Sequence, residues 1–284
     1  MIGHKAAGVT NTKISALLAS LDLDEFTPLL IKYGLNENEI IHTENIHLLE
    51  RLFVENWDQV AKVLTKDSEV VKSYFMDMIQ DSKRVAVIDV GWLGSGGLGI
   101  KYLIEEKWKL DCEVRNLLAA SRHWYNSANI NFLMKKDLET YLFSTLHNRE
   151  HYEIHAKTNK NTNSIYFELF TQATYPSFEK LNREDERYGF AFDIPEIENY
   201  AVIEQIHEGI FDFVKRYKQT IGPHKYLLNI SGYDAYRPFA MIVKDLRFIR
   251  KFFGDLRYAR GIYADKDTQS METLNAIMDH EGLE

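Results

Sequence analysis

From Asp89 to Gly97 the chain reads D-V-G-W-L-G-S-G-G, and these residue types at this spacing suit the binding of an anion. The apolar run Val85–Ile88 precedes them and the helix-favouring LGIKYLIEEKWKL follows, so the glycines fall between a strand and a helix. The first turn of a helix offers unpaired N–H groups and the positive end of the helix dipole, which together favour phosphate. Gly91, Gly94, Gly96 and Gly97 let the backbone approach a ligand, Ser95 can donate a hydroxyl or cap the helix, and Asp89 sits where a strand would end. A carboxylate there can orient a hydroxyl or a divalent cation such as Mg²⁺, and Trp92 can stack on a sugar or a base. The Lys-Ser/Thr ending of a P-loop is missing, and the run fits G-x-G-x-x-G poorly.

Three other groups of residues can carry chemistry. Glu168 lies in the apolar run Ile165–Phe170; it is either on the solvent side of an alternating strand or a buried acid or base. Tyr236 and Arg237, in the turn-like YDAYR, can line a sugar or base site and neutralise charge, or begin a packed helix. His147-Asn-Arg-Glu150-His151 matches H-x-x-E-H, which on one helix would put two imidazoles and a general base beside a zinc ion; a polar helix face is the alternative.

The elements that must position these residues follow from periodicity. Residues 12–80 predict several short helices, one of them closed by Gly34. RVAVIDV predicts a strand buried on both faces, as in a parallel sheet, and CEVRNLLAAS a second strand over 114–119. DLETYLFSTLHNREHYEIHA reads as helical, SIYFELFTQA as strand or helix, KTNKNTNS as a loop, and IENYAVIEQIHEGIFDFVKRYKQTI as an amphipathic helix ended by Gly222-Pro223. The expected architecture is α/β: a helical lead-in over 1–82, a Rossmann-like parallel βα core over 83–262, and a tail over 263–284 that docks one short helix or frays.

Composition bounds the functions. The chain has 284 residues, 45% hydrophobic and 27% charged, with 34 Lys and Arg against 42 Asp and Glu and a formal charge of -8, which argues against a nucleic-acid binder. One cysteine excludes a disulfide framework, and without a long apolar run or a signal-like start the expected location is the cytoplasm. Residues 244–260 are locally basic with apolar residues at helical spacing, an amphipathic basic helix that would allow contact with the inner surface of a membrane or pack on the core with a solvated basic face.

Around VIDVGWLGS at 87–95 the chain resembles a family of bacterial predicted HAD-superfamily proteins found among surface-polysaccharide and glycosyltransferase genes. FELFTQATYPSF at 167–178, EGIFDFVKRY at 208–217 and ISGYDAYRPF at 230–239 extend the resemblance, and LIKYGLNENEI is similar to the segment before the turn, so it spans about residues 12–260. The nucleophilic Asp motif of HAD enzymes has no counterpart: Asp22-Leu-Asp24-Glu-Phe-Thr27 carries its Thr one place late, after a helical pattern. The resemblance therefore implies the family's C-terminal module without its hydrolase half. It implies a module of capsule or O-antigen type synthesis; the glycine-rich turn at 89–97 would bind a phosphorylated sugar or nucleotide-sugar, and group transfer fits that turn better than hydrolysis. Glu168 is then the candidate acid or base. The alternatives are a non-catalytic scaffold for glycosyltransferases at the membrane surface and a zinc metallopeptidase.

Overall fold

The computed structural model describes residues 13–92, 94–121, 132, 135–156, 162–176, 178–184, 187–192, 199–224, 229–258 and 272–280. Contacts divide the chain into two compact units: one runs to Phe75 and includes Leu181–Gly189, and the other holds Met76–Lys180, Phe190–Tyr258 and the chain from Glu272.

Up to Phe75 the first unit is helical, and Leu181–Gly189 adds to it the hairpin end of a two-stranded ribbon. α1 (Ile14–Ala19), a 3₁₀ helix (Asp24–Tyr33), α2 (Ile46–Glu55), α3 (Trp57–Leu64) and the start of α4 (Ser68–Ile79) follow in order. Leu18, Leu23, Phe26, Leu30, Leu49 and Leu52 form its core. Gly34 ends the 3₁₀ helix in the left-handed conformation at φ 73°, as its sequence position predicts. Tyr33 is pinned there, its hydroxyl donating to Glu55 Oε2 at 2.8 Å.

The second unit contains a parallel sheet in the order β1 (Arg84–Asp89), β2 (Glu113–Ala120), β3 (Glu139–Phe143). α5 (Ser95–Lys101), continued as a π-helix over Tyr102–Lys107, makes the crossover from β1 to β2. α6 (Arg149–Ala156), α7 (Thr162–Thr171), α8 (Tyr200–Ile221), α9 (Gly232–Ile242), α10 (Leu246–Phe253) and α11 (Leu274–His280) complete the helices. β4 (Phe178–Glu184) and β5 (Arg187–Phe192) form a two-stranded ribbon, and β6 (Arg257–Tyr258) pairs antiparallel with β7 (Glu272–Thr273). The unit is mixed α/β, and its three-stranded parallel sheet is compatible with a Rossmann-like core.

Three expectations need correction. β1 is not buried on both faces: Val85, Val87 and Asp89 are half-buried, whereas Arg84, Ala86 and Ile88 are exposed, Ile88 at 69%. Among the described residues β1 is an edge strand, and α5 lies against the sheet next to it. The helix expected over 137–156 is instead β3 followed by α6, because Asn148 at φ 50° breaks the chain direction between them. The basic stretch 244–260 is not one helix. α10 has eight residues and stops at Gly254, where a Cβ would run into the Asn275 side chain. SIYFELFTQA is helical as α7, Asn163 within KTNKNTNS already belongs to that helix, and the tail docks α11 through Leu274, Ile277 and Met278. The rest of KTNKNTNS at 157–161, Arg260 and the start of the tail lie outside the described residues.

The stagger of β3 creates a local demand that α5 and the π-helix meet. β3 begins opposite Leu117, so the first residues of β2 have no strand on that side among the described residues. Glu113 N–H bonds Lys83 O towards β1, so alternation turns the N–H and C=O of Val114 the other way. Glu105 Oε1 accepts the Val114 N–H at 2.7 Å, and Lys101 Nζ donates to Val114 O at 3.2 Å and to Glu105 at 3.0 Å. Burial works to raise the Glu105 pKa, but the Val114 N–H and the Lys101 ammonium outweigh it and hold the carboxyl below its ordinary value.

Glu105→Ala is expected to cost about 1–3 kcal/mol at neutral pH by leaving that amide without an acceptor. Because the folded pKa is depressed, the charge-dependent part of this stabilisation is present above the unfolded-state pKa and lost as pH falls through the folded one. Urea unfolding of wild type and Glu105→Gln should therefore differ most at neutral pH and converge on acidification.

Candidate functional site

The carboxyl ends of the three parallel strands carry Asp89, Ser121 and Ser144, the edge at which open α/β sheets hold ligands. Asp89 Oδ1 accepts the Gly91 N–H at 2.7 Å, fixing the start of the glycine turn. A Cβ at Gly91 would lie 2.9 Å from that same oxygen. Gly94 has φ 67°, and a Cβ there would meet Leu138 Cδ1 at 2.7 Å; at Gly97 it would meet Asn116 Oδ1 at 2.7 Å. Ser95 and Gly96 are exposed at the start of α5, and nothing lies within 4 Å of a Cβ at Gly96. The turn thus has two glycines locked for packing and one exposed stretch, Ser95-Gly96, open to solvent.

Trp92 enters the fold rather than the solvent. Its indole Nε1–H donates to Glu168 Oε1 on α7 at 2.5 Å. Its ring lies 4.2 Å from His155 of α6, 5.3 Å from Phe167 and 6.2 Å from Phe143 at the end of β3. The ring faces expected to stack on a sugar or base are occupied by protein, and Glu168 is a partner of Trp92 on a helix, not a residue of an alternating strand.

Tyr236 and Arg237 are adjacent on α9 and diverge by one helical step. Arg237 is exposed, whereas Tyr236 is 1% exposed in the core beside Phe143. Burial pushes the Tyr236 phenol far above its ordinary pKa, so it stays protonated, and its hydroxyl is hydrogen-bonded with His155 Nδ1, 2.7 Å away. Tyr236 therefore acts on the site through His155 and Trp92.

The H-x-x-E-H reading does not survive the geometry. α6 starts at Arg149, so His147 lies before the helix, and Ser144 Oγ lies 3.0 Å from its Nδ1. Glu150 accepts from the Tyr233 hydroxyl at 3.0 Å. His151 donates its Nε2–H to the Tyr233 carbonyl at 2.8 Å, which leaves its buried Nδ1 without a partner. Among the described residues no three His, Cys, Asp or Glu side chains are grouped to hold a metal ion.

Sequence reasoning missed several residues of this edge. Ser121 Oγ, Thr145 Oγ1 and Asn116 Oδ1 are buried without hydrogen-bond partners. Tyr141 on β3 feels Asp89: burial first and the Asp89 carboxylate second push its phenol up. A cavity of about 490 Å³ lies along the start of β2 and β3, lined by Lys101, Arg115, Lys136, Thr140, Ser144 and His147, with Glu113, Glu139 and Leu138 also in its wall. None of Asp89, Gly91, Trp92 and Ser95 lines it; Leu138, which Gly94 abuts, is the wall nearest the turn. The membrane expectation for 244–260 loses part of its charge to pairing, since Arg247 bonds Asp245 at 2.7 Å and Arg250 bonds Asp279 at 2.8 Å. Among the described residues no helix is long and apolar enough to cross a membrane.

The fold and edge define a mixed α/β unit built on a parallel three-stranded sheet with a glycine turn at its carboxyl end. The chain matches no protein family, no curated protein and no solved structure.

Gly94→Ala is expected to cost roughly 2 kcal/mol or more, from left-handed backbone and the clash with Leu138. Gly96→Ala, with open space and ordinary backbone, should be neutral or stabilise by about 0.5 kcal/mol. Chemical denaturation of the two variants checks the difference.

Proposed function

We propose that the chain is a module of bacterial surface-polysaccharide synthesis that binds a phosphorylated sugar or a nucleotide-sugar at the carboxyl edge of β1–β3. The observation that carries this reading is Asp89 at the end of a parallel strand, holding the Gly91 amide and leaving Ser95 and Gly96 exposed at the first turn of the following helix. In this reading the Ser95 hydroxyl and neighbouring amides receive the phosphate, and Arg237, exposed on α9, neutralises charge. Trp92 and Glu168 form the support of the turn, since each is engaged by the other. With no metal cluster among the described residues, a Mg²⁺ would arrive with the phosphates of the ligand and meet the Asp89 carboxylate. Group transfer is favoured over hydrolysis because it fits the glycine-rich turn better.

Thermal unfolding against a panel of phosphosugars and nucleotide-sugars, with and without Mg²⁺, tests the reading. A ligand at a hundredfold its dissociation constant adds about 2.7 kcal/mol, roughly 5–10 °C for a chain of this size. The expected result is a shift that disappears in Asp89→Asn and persists in Lys136→Gln. A shift lost only in Lys136→Gln would move the ligand to the cavity beside β3. No shift with any ligand would favour the non-catalytic scaffold for glycosyltransferases.

A further inference from the structure

Because β3 begins opposite Leu117, the start of β2 is left beside a notch in the sheet, and the cavity of about 490 Å³ opens there. Pockets that hold small organic ligands run from roughly 300 to 1,000 Å³. The backbone at its floor makes no demand of its own, since Glu105 accepts the Val114 N–H and Lys101 donates to the Val114 carbonyl. What the cavity offers a ligand is therefore its side chains.

Their charges balance. Lys101 pairs with Glu105 at 2.9 Å, and Arg115 lies 3.3 Å from Glu113 and 4.0 Å from Glu139. With Lys136 in the wall, the three cations meet three carboxylates, Glu105, Glu113 and Glu139, and sum to zero. His147 adds no charge at neutral pH, because burial holds its imidazole below its ordinary pKa. A phosphate dianion would find no surplus positive charge here to offset its lost hydration. Among the described residues no Phe, Tyr or Trp lines the cavity, so a nucleobase has no ring to stack on. An apolar ligand would strand the charged groups without water.

What fits is a neutral ligand that both donates and accepts at many points. Glu113 and Glu139 accept only, Lys136 and Arg115 donate only, and the Thr140 hydroxyl does both. His147 is fixed as a donor. The Ser144 hydroxyl oxygen accepts the Leu146 N–H at 3.0 Å and the His147 N–H at 3.2 Å, which occupies both lone pairs. Its own hydrogen then goes to His147 Nδ1, 3.0 Å away, and the neutral ring carries its proton on Nε2. Leu138 and Leu146 supply aliphatic surface for the C–H groups of a ring.

We infer that this cavity binds an unphosphorylated monosaccharide, with Glu139 and Lys136 receiving its hydroxyl groups. None of Asp89, Gly91, Trp92 and Ser95 lines the cavity, so the site goes beyond the phosphosugar reading and does not depend on it.

Saturation-transfer NMR of the full chain at neutral pH tests the inference, with D-glucose, D-galactose, D-mannose and N-acetyl-D-glucosamine as probes. The expected result is transfer to at least one of the four sugars. Its dissociation constant should rise about tenfold or more in Glu139→Gln and in Lys136→Gln, and stay unchanged in Asp89→Asn. Both substituted side chains are exposed, so the circular-dichroism spectra should match wild type. Inorganic phosphate should not displace the sugar. Absence of transfer to all four sugars would overturn the inference. So would transfer lost in Asp89→Asn but kept in the two cavity variants, which would put the sugar at the carboxyl edge. Displacement by phosphate would also overturn it, by making the cavity an anion site. An Asp89-dependent thermal shift with phosphosugars is compatible with each of these failures, so the two readings fail separately.

Discussion

The indole of Trp92 is the constraint on which the arrangement of the second unit's site depends. One residue after the Asp89-Gly91 lock, the chain drives a large aromatic inward, and its N–H needs an acceptor once buried. Glu168 supplies it from α7, while His155 of α6 and Phe143 of β3 supply the packing surface. Tyr236 of α9 then fixes His155 through its hydroxyl. A turn that would otherwise be free glycine backbone is thereby tied to one strand end and three helices. The exposed Ser95-Gly96 segment is presented from a base fixed by these contacts, which in the proposed reading limits the cost of ordering the turn around a phosphate.

Beyond this aromatic box the carboxyl edge carries polar atoms that the protein does not satisfy. Ser121 Oγ and Thr145 Oγ1, just after the ends of β2 and β3, and His151 Nδ1 on α6 are buried and unpartnered. Orphaned polar atoms are rare in folded interiors and concentrate where water or a ligand completes the site. At the other end of β2 the opposite holds: Lys101 and Glu105 complete the strand edge that β3 leaves bare. In the proposed reading the unmet hydrogen-bonding capacity after the ends of β2 and β3 favours the carboxyl edge, and the cavity along the starts of β2 and β3 is the competing place.

Much of the local structure was legible in the sequence. The strands at β1 and β2, the glycine turn between them, the αL stop at Gly34 and the long amphipathic α8 each follow from short-range patterns. β3 was not legible. Its five residues sit in a stretch whose apolar spacing also fits a helix, and only the positive φ of Asn148 separates the strand from α6. The same break removed the zinc motif, whose logic required His147 and His151 on one helix. Neither partner of the central hydrogen bonds could be read from spacing, since Trp92 and Glu168 are 76 residues apart and His155 and Tyr236 are 81 apart. The sequence marked Trp92, Glu168 and Tyr236 as unusual. What it could not reveal is that the three belong to one packed cluster of side chains, in which Tyr236 is buried and Trp92 and Glu168 are half-buried.

A double-mutant cycle on Trp92→Phe and Glu168→Ala, read by urea unfolding, tests this account most directly. A hydrogen bond from a partly buried indole to a carboxylate contributes about 1.5–3 kcal/mol, so the account predicts that the two substitutions together cost at least about 1 kcal/mol less than the sum of their single effects. Additivity within about 0.3–0.5 kcal/mol would contradict it, because Trp92 would then hold its place by packing alone and the glycine turn would not depend on α7.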